Sequence, residues 1–362
     1  MSDIVKVDFL GKGGHRGEVA GMIHNSRMDV SSMRPYLDSN GRACITTYTG
    51  GDAKKAESYR TQFVSNATLR REEWMALDQA ILPVTRDALI GVNDLIANNC
   101  VYNLKNAMGT TVLEYHDVTD AMEATMTMDG VNRTPGDRPE FGAHYLPIPI
   151  IHADYEINLR ELETSRNMGN GLDTFMAEYA TRKVAEKLEK LLFTDTSYKF
   201  GGGVIYSYVN HPDINLVTLD NQWTNSGVTG KQMLDNVTEM KQASITDKHY
   251  GPWILYIPAG YETVLDSDYS DTKGSNTIRE RIMKIEGLKA IKVSYTMATN
   301  IMLLVQMTTD VVRLVRGLDI QNVEWDAEGK WIKKFKIFTI QVPQIRSDVE
   351  GRSGIVKASF SA

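Results

Sequence analysis

His15, His24, His116, His144, His152, His211 and His249 are the side chains best placed to ligate a metal or pass a proton near neutral pH. No two have ligand spacing, and none lies in an HExxH pattern. His152 falls on the polar side of an alternating strand and reads as a surface or interface histidine. Cys44 and Cys100 stand alone, without CxxC and without a histidine at ligand spacing. They read as reduced structural thiols in a cytoplasmic setting. Asp266, Asp268 and Asp271 resemble the opening of a calcium loop. The glycine at the sixth position and the glutamate at the twelfth are missing, so the segment reads as a solvated acidic loop. Glu161 and Glu163 could pair as acid and base, but two residues apart on a helix they face different ways. Gly11 to Gly17, GKGGHRG, lacks the Lys-Ser/Thr ending of a phosphate loop, and no strand leads into a helix there. There is no GxSxG, no Walker pattern and no GxGxxG after a strand. No catalytic residue, cofactor or metal site is therefore expected.

The elements that would have to position such groups say more. The chain has 362 residues, 42% apolar and 24% charged, enough for two modest domains or one with extensions. A net charge of −6 gives no reason to expect a nucleic-acid binder over the whole surface, although a local basic patch is compatible with it. No apolar run approaches a membrane span, and the start has no secretory h-region.

The longest helical pattern runs from Gly171 to Phe193. At ~1.5 Å per residue its roughly 23 residues make a rod of about 34 Å. Its apolar stripe shifts: Leu172, Phe175, Met176 and Tyr179 share one face, and Val184, Leu188, Leu191 and Leu192 another. Such a rod is a core helix under a sheet or a spine that meets different partners at its two ends. Glu72 to Leu95 is a second helical pattern, with Pro83 predicting a kink or a split. Residues 1 to about 70 are glycine-rich at the start and poor in apolar periodicity. With Tyr36, Tyr48, Tyr59 and Phe63 spread along them like anchors, they read as an extended arm ordered against something else.

Thr110 to Tyr145 reads as a two-stranded ribbon with a turn-rich tip, DGVNRTPGDRPEFG. Such a ribbon is marginal alone and needs a neighbour, expected to be another subunit. In the strand after LPIPI, Ile151, Ala153, Tyr155, Ile157 and Leu159 point one way, and His152, Asp154, Glu156, Asn158 and Arg160 the other. Residues 230–307 read as helices on a sheet: helices at Gly230–Ala243, Ala259–Leu265 and Thr277–Glu286, and strands at Trp253–Ile257, Ile291–Val293 and Ile301–Met307. The end is β, at Val311–Val315, Val323–Trp325, Lys333–Val342 and Ser353–Phe360. In the third of these, Phe335 and Ile337 share one phase and Phe338, Ile340 and Val342 the other, which predicts a bulge. The fold class is α+β.

Four passages carry a resemblance. ALDQAILPVTRDALIG (Ala76 to Gly91) resembles the amino-terminal helix of encapsulins. LPIPIIHADYEINLRELETSR (Leu146 to Arg166) resembles the strand leading from the extended loop into the spine of Hong Kong 97-like capsid proteins. LDTFMAEYATRKVAEKLEKLLFTD (Leu172 to Asp195) resembles the spine helix, and IFTIQVPQ (Ile337 to Gln344) the carboxy-terminal strand. The order of elements agrees over about residues 74–362. The chain is thus similar to the Hong Kong 97-like phage major capsid fold, and more closely to its encapsulin branch.

The resemblance implies an arm at 1–73, a helix opening the peripheral domain at 74–109 and an extended loop at 110–146. It implies a peripheral domain at 147–228 around the spine helix 171–193, an axial domain at 229–312, and peripheral strands at 313–362. Subunit contacts are expected at Tyr36, Tyr48 and Phe63 of the arm, at Met126, Met128, Arg133, Arg138 and Phe141 of the ribbon, and at Asp266, Asp268 and Asp271 of an axial loop. The function implied is that of a tailed double-stranded DNA phage or prophage major capsid protein. It would form pentamers and hexamers of an icosahedral shell, assembled in the host bacterial cytoplasm. Scaffolding, portal and decoration proteins and packaged DNA would be its partners, and it would have no membrane role. The roughly 70 residues before the helix favour a virion protein over the alternative, an encapsulin-type compartment around protein cargo. A third class, an enzyme with a site built from distant residues, predicts a stable monomer or small oligomer with a closed pocket and protected residues 110–145. Residues 110–145 contain no lysine, so the isopeptide chain-mail of some relatives is not expected.

Overall fold

The computed structural model describes residues 34–48, 59–64, 69–118, 141–168, 174–269, 276–325 and 331–360, with single positions at 55, 57, 67, 126 and 128. It begins with an antiparallel three-stranded sheet, β1 (Tyr36–Leu37), β2 (Ala43–Tyr48) and β3 (Tyr59–Phe63), in that order. This sheet is tied to the chain's own helix α1 (Arg71–Ala88). Arg34 pairs with Asp78 at 2.6 Å, its guanidinium lies 4.6 Å from the Trp74 ring centre, and Trp74 Nε1 donates to the Pro35 carbonyl at 3.0 Å. Part of the expected arm is therefore ordered against its own chain. A buried ion pair and a stacked guanidinium do that work, and neither leaves a hydrophobic period to read.

The break expected near Pro83 falls at Leu89. Pro83 stays inside α1, and α2 (Ile90–Ala97) follows. The cause is tertiary: the start of α2 abuts the end of the long helix, and a Cβ on Gly91 would overlap the Phe193 ring.

A short strand β4 (Val101–Asn103) leads to the ribbon, β5 (Val112–Val118) and β6 (Phe141–Pro147). These pair antiparallel from Val112↔Pro147 to Val118↔Phe141. The ribbon root is thus present as expected, and its turn-rich tip lies outside the described residues. Strand β7 (Ile151–Asn158) has the expected alternation, with Tyr155 buried and its even-numbered neighbours exposed. Helix α3 (Leu159–Met168) and the long helix α4 (Phe175–Phe193) follow. Leu172, in the predicted stripe, is outside the described residues.

After the hairpin β8 (Tyr198–Phe200) and β9 (Gly203–Ile205) come β10 (Asn215–Leu219) and α5 (Gly230–Thr246). Helix α5 opens on a capping box in which Thr229 and Gln232 bond each other's backbone. Next are β11 (Trp253–Pro258), buried throughout, the short helices α6 (Glu262–Leu265) and α7 (Ile278–Met283), β12 (Leu288–Ser294) and β13 (Ile301–Gln306). Long strands β14 (Val312–Trp325) and β15 (Ile332–Ile345) precede β16 (Ile355–Phe360).

Two sheets organise the molecule. One has the order β4-β14-β15-β7, and the other β10-β16-β13-β11-β12. Strands 10 and 16 thus join the sheet of residues 253–306 from outside it, and residues 313–360 divide between the two sheets. The two strands read at Val311–Val315 and Val323–Trp325 are a single strand, β14. The bulge predicted in β15 is absent from it. The extra residues sit on its partner β14, between Arg316 and Leu318 and between Leu318 and Gln321. Strand β15 changes phase because both its faces are buried. Phe335, Ile337 and Ile345 join α4 in the main core, while Phe338, Ile340 and Val342 join a second cluster with Leu146 and Ile148. The α5 side of the five-stranded sheet has its own core around Trp223, Met240, Leu255 and Met302. Among the described residues no helix is long and apolar enough to cross a membrane.

Candidate functional site

Among the described residues no three His, Cys, Asp or Glu side chains come together as metal ligands. His211 is buried. Its Nδ1 accepts from the Asp213 N–H at 3.3 Å, and burial lowers its pKa. His152 pairs with Asp154 at 3.4 Å on an exposed strand face. His144 stacks on Tyr115 with ring centres 5.4 Å apart. Cys44 and Cys100 are free and buried, and burial pushes both thiols up. Asp266 is held by Arg279 Nε at 3.0 Å, Asp268 bridges to Thr277, and Asp271 lies outside the described residues. Glu163 pairs with Arg166, whereas Glu161 lines a surface groove of about 470 Å³ along α3 with Arg160, Thr164 and Met168. The two carboxylates serve different neighbours, as their spacing predicts.

A buried polar cluster that sequence reasoning missed lies where α4 meets the five-stranded sheet. Leu89 cannot cap α2, so Glu189 reaches across from α4 and accepts the Val92 N–H at 3.3 Å. Burial raises its carboxyl to about 7, although the N–H groups of Ile90, Gly91 and Val92 pull the other way. Asp94 accepts from the Tyr256 hydroxyl at 3.0 Å and faces Lys292 Nζ at 3.8 Å; burial raises its pKa as well. Phe193 lies edge-on between Tyr208 and Tyr256. Only a charge beside the apolar stripe of α4 marks this joint in sequence. Glu189 on backbone N–H groups and Asp94 between Tyr256 and Lys292 fasten two parts of the fold to each other.

The exposed apolar surface is more telling. Tyr36 is buried in the chain's own core, its hydroxyl 2.8 Å from Thr46 Oγ1. Tyr48 pairs with Tyr59 in the small sheet, and Phe63 is exposed beside Arg42. Met126 and Met128 are fully exposed, Phe141 pairs with Val118, and Arg133 and Arg138 lie outside the described residues. The shifting stripe of α4 resolves into two fates. Val184, Leu188, Leu191 and Leu192 are buried in the core, whereas Phe175, Met176 and Tyr179 face solvent. Trp325, Trp331, Tyr198, Phe200, Leu216, Tyr250 and Tyr295 add to that surface.

A family model described as a family of unknown function, DUF6260, matches residues 64–358. The chain belongs to the DUF6260 family. No curated protein matches the sequence. Solved structures do match this DUF6260 member. A virus-like particle from Pyrococcus furiosus aligns with a TM-score of 0.57 at 18% identity, over 80% of this chain and 98% of that one. The capsid of Myoviridae phage XM1 aligns at 0.55 and 8% identity, over 74% and 91%. The capsid of an empty GTA particle aligns at 0.55 and 11% identity, over 76% and 91%. The DUF6260 chain therefore has the Hong Kong 97-like capsid fold, in agreement with the resemblance in its sequence.

Proposed function

We propose that the chain is a capsid shell subunit, the major capsid protein of a tailed double-stranded DNA phage or prophage. The observation that carries this reading is a fold shared over nine-tenths or more of each of those three shell proteins, in a chain whose described surface exposes several aromatic side chains. In the shell, residues 1–73 are the arm, 110–146 the extended loop over an adjacent subunit, and 229–312 the axial region around five- and six-fold axes. Residues 147–228, with the spine helix, and 313–362 supply the peripheral domain. Ribbon and arm each bury surface in an interface shared with a neighbouring subunit. Heterologous contacts of this kind close into pentamers and hexamers and then into a shell. Assembly takes place in the host bacterial cytoplasm. Scaffolding, portal and decoration proteins and non-specifically held DNA complete the partner set, and no step is enzymatic.

The likeness to the Pyrococcus particle favours a second reading, a closed compartment around protein cargo. Negative-stain electron microscopy of the chain expressed with and without a scaffolding partner tests both. Closed shells or capsomer rings are expected, with the 260-to-280 nm absorbance ratio of the same fraction distinguishing packaged nucleic acid from protein cargo. A uniform small particle under both conditions would refute assembly and reopen the enzyme reading.

A further inference from the structure

Arg313 and Arg346 bring two positive charges to one place where no described acid meets them. Arg313 lies near the start of β14, and Arg346 directly follows β15. Arg313 pairs with Gln344 in register, and the Arg346 N–H donates to the Val311 carbonyl at 2.8 Å, so the ladder runs on to Arg346. Residues two apart on a strand share a face, which puts Gln344 and Arg346 on one side with Arg313 beside them. It is the side on which Val315 and Val342 join the ribbon-side cluster. The ribbon and β4 border the place. Arg346 Nη2 donates to the His116 carbonyl of β5 at 3.4 Å, and the Arg313 guanidinium lies 4.8 Å from the centre of the Tyr102 ring.

These groups are short of acceptors. Arg313 Nε donates to Gln344 Oε1 at 2.5 Å. Gln344 is 1% exposed and its Nε2 has no partner, and the buried Nε of Arg346 has none either. Among the described residues neither arginine has a carboxylate at ion-pair distance, whereas Arg34, Arg166 and Arg279 each have one. Burial and the Arg346 charge beside it lower the pKa of Arg313. Unpaired buried donors and adjacent like charges both cost stability, and a single anion relieves both. Both arginines are partly exposed, so such an anion has access from solvent. A guanidinium presents its N–H groups as a planar fork matched to an oxyanion. A carboxylate offers two oxygens in one plane. A phosphate offers oxygens in several directions and more charge, which suits two forks carried on different strands.

We propose that Arg313 and Arg346 form an oxyanion site that takes a phosphate group, and that the bound anion ties the ends of β14 and β15 to the ribbon strand β5. The site goes beyond the shell reading and does not depend on it.

Thermal melting of the full-length chain in sodium phosphate, against sodium chloride at equal ionic strength and the same pH, tests the site. The wild type should melt about 2–4 °C higher in phosphate, with an increment that saturates as the site fills. Phosphate also stabilises proteins by exclusion from their surfaces, but that effect does not saturate and does not depend on one arginine. Arg346→Met should lose the saturating increment and melt close to the wild type in chloride, because it removes an uncompensated charge. An arginine with a merely structural role would not behave so. Gln344→Glu supplies an anion from within the chain. It should melt higher than the wild type in chloride and no longer respond to phosphate, and it decides the matter should Arg346→Met melt far lower in chloride. A short DNA duplex at the same phosphate concentration is the second probe. Either probe acting through Arg346 supports the site, and the one that acts shows whether the phosphate is free or part of a nucleic-acid backbone. No saturating increment from either probe, the same increment in Arg346→Met, or a Gln344→Glu chain that melts lower and still responds would overturn the site.

Discussion

Glu189 shows how one side chain can join two parts of a fold and make the joint sensitive to pH. Its carboxyl titrates at about 7 in the folded chain, against 4.5 in the absence of burial. A carboxyl raised on folding favours the folded state when protonated. The stability it lends is therefore fully present below about 4.5 and is lost as pH rises through about 7. At about 1.36 kcal/mol per pKa unit the full effect is about 3 kcal/mol, most of it between pH 5 and 8. Urea unfolding of the dissociated subunit should show the wild type losing about 2–3 kcal/mol more than Glu189→Gln over that range. Equal losses would remove Glu189 from the account. Asp94 titrates in both proteins, so only the part of its charge that acts on Glu189 enters the comparison. The Arg34–Asp78 pair makes a second residue-scale case, with side chains only 4% and 10% exposed. Asp78→Ala removes the 2.6 Å contact to a buried guanidinium, so it should cost about 3–5 kcal/mol. Arg34→Met with Asp78→Leu should recover most of it, as read from urea midpoints. A double variant as unstable as the single one would show that packing, not charge, fixes the strap.

At the scale of elements, the ribbon depends on the hairpin beneath its root. A Cβ on Gly203 would overlap the Tyr145 carbonyl oxygen, and one on Gly201, at φ +58°, would press on Val112. The glycine turn between β8 and β9 therefore lets backbone meet backbone and fixes where the ribbon leaves the body. Gly203→Ala should cost about 1–3 kcal/mol through overpacking. It should also speed limited proteolysis within residues 110–147 while leaving α4 protected. Unchanged ribbon cleavage would place the control of the ribbon elsewhere. The bulges of β14 belong to the same scale. They turn Val315, Leu318 and Val323 toward the ribbon-side cluster and Val312, Leu314 and Ile320 toward α4, so one strand serves two cores.

At the scale of the molecule, the proposed shell assigns the uncovered surface to contacts between copies. Shortening Asp129–Phe141 should leave circular dichroism and the melting temperature of the isolated subunit nearly unchanged and abolish normal shells. Normal-sized particles from that deletion would count against the ribbon's role. With no lysine in residues 110–145, particles boiled in detergent should also run as single chains. A Lys–Asn bond between subunits, found by tandem mass spectrometry, would contradict this.

What the sequence determined by itself follows from local periodicity. The alternation of β7, the buried run of β11, the stripe of α5, the ribbon strands and the capsid-like order of elements were all legible, because pleat and helical turn impose spacings on apolar residues. The two-faced α4 was legible as a pattern but not in its outcome. Periodicity shows that Phe175 and Tyr179 share a side, while only the packed structure shows that this side faces solvent. The break at Leu89, the strap of Arg34 on Trp74 and Asp78, the cap from Glu189 and the sheet membership of β10 and β16 were decided by tertiary structure. Each joins residues distant in sequence through a contact or hydrogen bond, and such pairings carry no period. The tertiary structure likewise separated a phase change caused by burial on both faces from one caused by a bulge. Those two causes produce the same string of residues, and only the partner strand tells them apart.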